Sequence, residues 1–136
     1  MVTVLDHTII PVRDREVAVE FYNRIFGFES LGPVGNFLAV RVNDTLNLDF
    51  ASSEDFQRFH YTHAEQSQGI HYAFTMDPDE FDAAFSRIRE SGIAYGDQPY
   101  EMANMKGLGM SMGSQGMGKA VYFVDPDGHV LEIKTY

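Results

Sequence analysis

Ile70-His71-Tyr72-Ala73-Phe74-Thr75-Met76-Asp77-Pro78-Asp79-Glu80-Phe81 changes structural period at Asp77. Before it, Tyr72, Phe74 and Met76 alternate with His71, Ala73 and Thr75, the two-residue period of a strand. From Asp77 onward come a capping side chain, a proline at the first position and carboxylates in the first turn, which together start a helix. Phe81, Ala84, Phe85 and Ile88 form one apolar helical face, and Gly92 ends it. A strand over Ile70–Met76 is therefore followed by a helix over Asp77–Ser91. Further on, a strand over Lys119–Val124, the turn Asp125-Pro126-Asp127-Gly128 and a strand over His129–Thr135 complete a module.

The first half repeats this order. Val4–Val12 reads as a strand and Asp14–Phe26 as a helix, with Val17, Phe21 and Ile25 on its apolar face beside Ala18 and Tyr22. Asp14 is its cap and Gly27 its C-terminal glycine. Phe37–Val42 and Leu46–Phe50 read as strands around Asn43-Asp44. His7 and His71 lie 64 positions apart, each early in the first strand of its half. Asn47 and Glu132 lie 85 apart, each midway along the last strand, and the difference matches an extra segment near Tyr100–Gly118. The expected fold class is α+β: two tandem βαβββ modules, about residues 1–53 and 68–136, within one domain spanning 1–136. Neither module can bury both faces of its sheet alone, so the two are expected to form a curved mixed sheet around a cavity.

Composition narrows the partners. A chain of 136 residues with no cysteine must be held by its core, without disulfides and without thiol chemistry of its own. It has no apolar run of about 18 residues and no basic-then-apolar leader pattern, so no membrane partner and a cytoplasmic location are expected. The net charge is −10 and the Lys and Arg residues are scattered, which argues against a nucleic-acid partner. A small-molecule substrate remains.

Strand alternation then singles out three residues. Leu131 and Ile133 belong to the helix side of the last strand, and Val130, Glu132 and Lys134 to the other. His71 and His7 fall on the corresponding side of their own strands. A lone strand histidine is commonly a hydrogen-bonded core residue, and an inward glutamate needs a partner, for which Arg41 is a candidate. Together, two imidazoles and a carboxylate on one cavity make a facial metal site with about three open positions on an octahedral ion. One carboxylate against a divalent ion leaves a formal positive charge suited to an anionic chelating substrate. Met102–Met117 is rich in Met and Gly, and reads as a long loop that is a lid over that cavity or, equally, a solvent-exposed disordered segment or a subunit contact.

Leu5-Asp6-His7-Thr8, Phe21-Tyr22 through Phe26-Gly27-Phe28, and Val124-Asp125-Pro126-Asp127-Gly128-His129-Val130-Leu131-Glu132 resemble the signature stretches of the vicinal oxygen chelate superfamily. That superfamily includes glyoxalase I, extradiol dioxygenases, fosfomycin-resistance thiol transferases and metal-free drug-binding proteins. The resemblance implies that His7, His71 and Glu132 hold one divalent ion (Fe, Mn, Zn, Ni or Co) on which substrate oxygens chelate. It implies a lyase, thiol transferase or ring-cleaving dioxygenase, with a drug-sequestering protein as the alternative, and a homodimer. His71-Tyr72-Ala73-Phe74 and the stretch from Val121 look most like the fosfomycin-resistance group, where the tyrosine matching Tyr122 helps hold the antibiotic, so Tyr122 is the expected catalytic residue. The Met- and Gly-rich segment departs from that group's serine- and glycine-rich potassium loop. Asn47 matches the fourth, glutamate ligand of glyoxalase I and is expected to line the substrate pocket instead, while Asp49 is read as turned to the opposite face. His60, His63 and His129 are further acid/base candidates, with His129 read as structural.

Overall fold

The computed structural model describes residues 3–57 and 70–136. The chain divides into two compact units, Met1–Gly69 and Ile70–Tyr136. Unit one runs β1 (His7–Val12), α1 (Arg15–Phe26), β2 (Glu29–Val34), β3 (Phe37–Asn43), β4 (Leu46–Ser52) and the short α2 (Ser53–Gln57). Unit two runs β5 (His71–Thr75), α3 (Pro78–Glu90), β6 (Gly109–Gly113), β7 (Gly116–Val124) and β8 (Val130–Thr135). The sheets have orders β1-β4-β3-β2 and β5-β8-β7-β6. In each, the first strand pairs parallel to the last and the other pairs are antiparallel. The α+β class and the tandem βαβββ order are those the sequence implies.

The helices start and stop where local chemistry dictates. The Asp14 carboxylate accepts from the N–H groups of Glu16 and Val17 at 3.0 and 3.2 Å, and Gly27 ends α1 at φ 75°. Asp77 accepts from the Glu80 N–H at 2.8 Å, with Pro78 opening α3. In unit one, Ala18, Tyr22 and Ile25 are buried, as are Ile10, Val40, Leu48 and Phe50 of the sheet. The Tyr22 and Phe50 rings lie 4.9 Å apart. Val17 was expected in that stripe but is 45% exposed, because the packed face runs through Ala18, Phe21, Tyr22, Ile25 and Phe26, one step round the helix. In unit two, Phe81, Ala84 and Ile88 of the helix and Val121, Phe123, Leu131 and Ile133 of the sheet are fully buried.

Two strands have no counterpart in the sequence reading. β2 and β6 are sheet edges, and neither carries a buried apolar face. An edge tolerates Pro33, and β2 bulges beside Gly32, at φ 73°. β6 corrects the lid expectation, since half of the Met- and Gly-rich segment is a hairpin with β7. Its register places Met110, Met112 and Met117 on one face, and Gly109, Ser111 and Gly118 on the other. The three methionines are exposed on the face opposite Glu132 and cannot close over it. Among the described residues no helix is long and apolar enough to cross a membrane.

Phe123→Ala is expected to lower the unfolding free energy by about 3–5 kcal/mol, and Asp77→Ala by about 1 kcal/mol. Urea denaturation of each variant checks both, and equal effects would mean that the α3 cap does more than satisfy a helix end.

Candidate metal centre

Because β8 runs between β5 and β7, Glu132 has Ala73 on one side in register and Tyr122 on the other. Its side chain is 5% exposed, and its Oε1 lies 3.3 Å from His71 Nε2. Its Oε2 is buried with no hydrogen-bond partner among the described residues. His71 Nδ1 lies 3.0 Å from the Val130 carbonyl. A proton on Nδ1 donated to that carbonyl leaves the Nε2 lone pair facing Glu132, which is the tautomer a metal ligand needs. A buried carboxylate oxygen without a donor is costly, and a cation shared with Nε2 would relieve it.

The cation beside Glu132 within its own unit is Lys134, two residues along the same strand, with Nζ 3.9 Å from Oε2. Arg41, the expected candidate, lies on β3 of unit one in register with Asn47. Tyr122 is 5% exposed, its ring 6.4 Å from that of His71 and inclined by 23°. Burial raises its phenol pKa above the usual value; a hydrogen bond with Ser111 opposes this, and the charge and hydrogen bond of Glu132 add to it. His129 is structural, as read. Its buried ring accepts the Ile70 N–H at Nδ1, 3.2 Å away, and so pins the chain just ahead of His71. His60 and His63 lie outside the described residues.

In unit one, His7 opens β1 with its Nδ1 2.7 Å from Asp6 Oδ2, an arrangement that likewise leaves Nε2 for a ligand. That hydrogen bond is the main reason its pKa is raised; desolvation opposes it, and the charges of Asp49 and Asp6 assist. Asn47 stands in register with His7. Asp49 corrects the sequence reading. Two residues from Asn47 on one strand, it shares the face of Asn47 rather than opposing it. The register makes it, and not Asn47, the counterpart of Glu132. His7 pairs with Asn47 and Ile9 with Asp49, just as His71 pairs with Val130 and Ala73 with Glu132. Asp49 is 5% exposed, and both its Oδ1 and that of Asn47 are buried without a hydrogen-bond partner among the described residues. Burial pushes the Asp49 carboxyl pKa up, against the pull of His7. The spacing of two already signalled its face.

Among the described residues neither unit by itself gathers three His, Cys, Asp or Glu side chains placed to hold a metal. The expected set takes His7 from unit one and His71 and Glu132 from unit two. The model of the Glyoxalase/Bleomycin resistance protein/Dioxygenase superfamily matches residues 4–133. The chain belongs to this superfamily. Within it, the chain is 26% identical over 134 residues to a metallothiol transferase FosB of Lysinibacillus sphaericus (strain C3-41), covering 96% of this chain and 81% of that protein. It is 26% identical over 133 residues to a glutathione transferase FosA of Serratia marcescens, covering 98% and 81%. The solved structure of oxidase ChaP-H2 is 34% identical, with a TM-score of 0.78 over 100% of this chain and 95% of that one. These relatives are enzymes by name.

Asp49 gives a pH signature. Its pKa is raised in the folded state, so the unfolded chain releases this proton at lower pH. Its presence therefore costs stability as pH rises from the ordinary carboxylate range through the raised value. In metal-free protein, Asp49→Asn is expected to be the more stable form above that window and to lose the associated slope. Urea midpoints across a pH series check this; parallel profiles would show that Asp49 is not destabilised by burial.

Proposed function

We propose that the chain is a metal-dependent oxidase or dioxygenase acting on a small substrate that chelates one divalent ion, Fe(II) or Mn(II), through neighbouring oxygens. The observation that carries this reading is the buried Glu132 oxygen, without a hydrogen-bond partner among the described residues, beside a His71 whose other nitrogen faces a backbone carbonyl. Together with His7 these residue types would supply the two-histidine, one-carboxylate set used by non-haem oxygenases. The likeness to oxidase ChaP-H2 supports the reaction class. When bound, the ion would supply Lewis acidity and open positions for substrate oxygens.

The chain's own residues do the rest. The Asp6 carboxylate and the Val130 carbonyl orient the two imidazoles. Tyr122, protonated at neutral pH, holds its proton at Oη beside Glu132 and donates to a substrate oxygen that gains charge. Asn47 is the proposed substrate-pocket residue, its Oδ1 being without a hydrogen-bond partner among the described residues. A thiol-transfer reaction is the second reading, favoured by the FosA and FosB relatives.

Protein reconstituted with each divalent ion is expected to hold about one metal per chain by mass spectrometry, lost in His71→Ala and Glu132→Ala. The iron or manganese form is expected to consume oxygen with catechols or hydroxyquinones. Consumption of thiol without oxygen uptake would move the transferase reading to first place. Tight binding with no turnover would favour a sequestering protein, and no metal with any ion would overturn the proposal. Tyr122→Phe is expected to cut turnover by about 100-fold with metal content unchanged; loss of metal as well would make Tyr122 a structural support of Glu132.

A further inference from the structure

Lys134 is a buried ammonium that the metal site does not account for. Its side chain is 3% exposed, on the same face of β8 as Glu132. Its Nζ donates to the Ser111 carbonyl at 2.8 Å and sits 4.8 Å from the centre of the Tyr136 ring. The Tyr136 hydroxyl also lies within its reach. The ends of both side chains lie against Gly113: a Cβ there would come within 2.9 Å of Nζ and 2.1 Å of the Tyr136 hydroxyl, so glycine leaves them room without any shift. An ammonium has three donors. The Ser111 carbonyl takes one and the Tyr136 ring lies beside the ammonium, but none reaches the Glu132 carboxylate, since 3.9 Å is too long for a hydrogen bond.

This is an open ion pair. Once a dication holds Glu132, the ammonium is left beside like charge with a donor to spare. An anionic oxygen near both would satisfy it. We propose that Lys134 is a specificity-determining second cation of the substrate site, receiving an ionised oxygen of the molecule whose neighbouring oxygen chelates the metal. The substrate class is then an anionic vicinal-oxygen compound, such as a catecholate, an ionised hydroxyketone or a 2-oxo acid. The inference rests on the metal reading above and adds the residue that chooses among chelators.

The test uses full-length protein loaded with Co(II), and compares oxalate with its neutral isostere oxamide by calorimetry. Lys134→Gln keeps an amide donor for Ser111 while removing the charge. It is expected to weaken oxalate by about tenfold or more and to leave oxamide little changed. Co(II) affinity, measured by chelator competition, is expected to hold or tighten as the like charge is removed. Equal losses for both ligands, no change in either, or loss of Co(II) from the variant would each overturn the proposal. In the unaltered protein, the preference for oxalate over oxamide should exceed that of aqueous Co(II) by about tenfold. A preference no greater than that of the free ion overturns it independently of any variant. Failure of the unaltered protein to take up Co(II) would instead overturn the metal reading, and this inference with it.

Discussion

The parallel pairing of first strand to last, β1 with β4 and β5 with β8, is the constraint on which the rest of each unit depends. A parallel pair cannot be closed by a hairpin and requires a crossover, which α1 and α3 provide. It also puts the last strand inside the sheet, with neighbours on both edges. A polar side chain in the middle of that strand therefore lies among other side chains whatever its chemistry. Glu132 and Asp49 occupy that position, and both keep a buried oxygen without a hydrogen-bond partner among the described residues. The same pairing sets each first-strand histidine at a constant register to the carboxylate, two residues short of it in both units. The sheet topology makes the candidate donors, and no loop is needed to carry them.

What was legible in the sequence follows from which forces are local. Asp14, Asp77, Pro78 and Gly27 announce helix ends because a cap acts within one turn. His71 and Glu132 could be set on the side away from the helix by counting in twos, whereas Tyr122 was singled out only by the family resemblance. β2 and β6 were not legible, since an edge strand is held by its neighbour's backbone and shows no apolar alternation of its own. The methionines of the 102–117 segment looked like material for a lid for the same reason, because composition does not report pairing. The face of Asp49 was legible, since it stands two residues from Asn47, and was misread; the matching of Asn47 to Glu132 by its position along the strand was a separate error. Register against the first strand decides the match, and register is a tertiary property. Lys134 was set on the correct face, but not its burial, which depends on β6 lying close enough for the Ser111 carbonyl to accept from Nζ.

Superposing the two units by register shows how one frame has diverged. Where unit two has Glu132 opposite Tyr122, unit one has Asp49 opposite Ala39. Where unit two has Lys134, two residues beyond its carboxylate, unit one has the buried Ala51. Each unit thus keeps a histidine and an acid, while unit two alone surrounds its acid with a phenol and an ammonium. Those additions stabilise nothing cheaply, because a buried lysine and a buried tyrosine hydroxyl both need partners that an alanine does not. Ser111 of the edge strand β6 serves both: its carbonyl accepts from Lys134, and its side chain acts on the Tyr122 phenol. The two units therefore differ most in what surrounds the acid on the inner strands β7 and β8. The histidine and the carboxylate two register positions beyond it are what the two units keep in common.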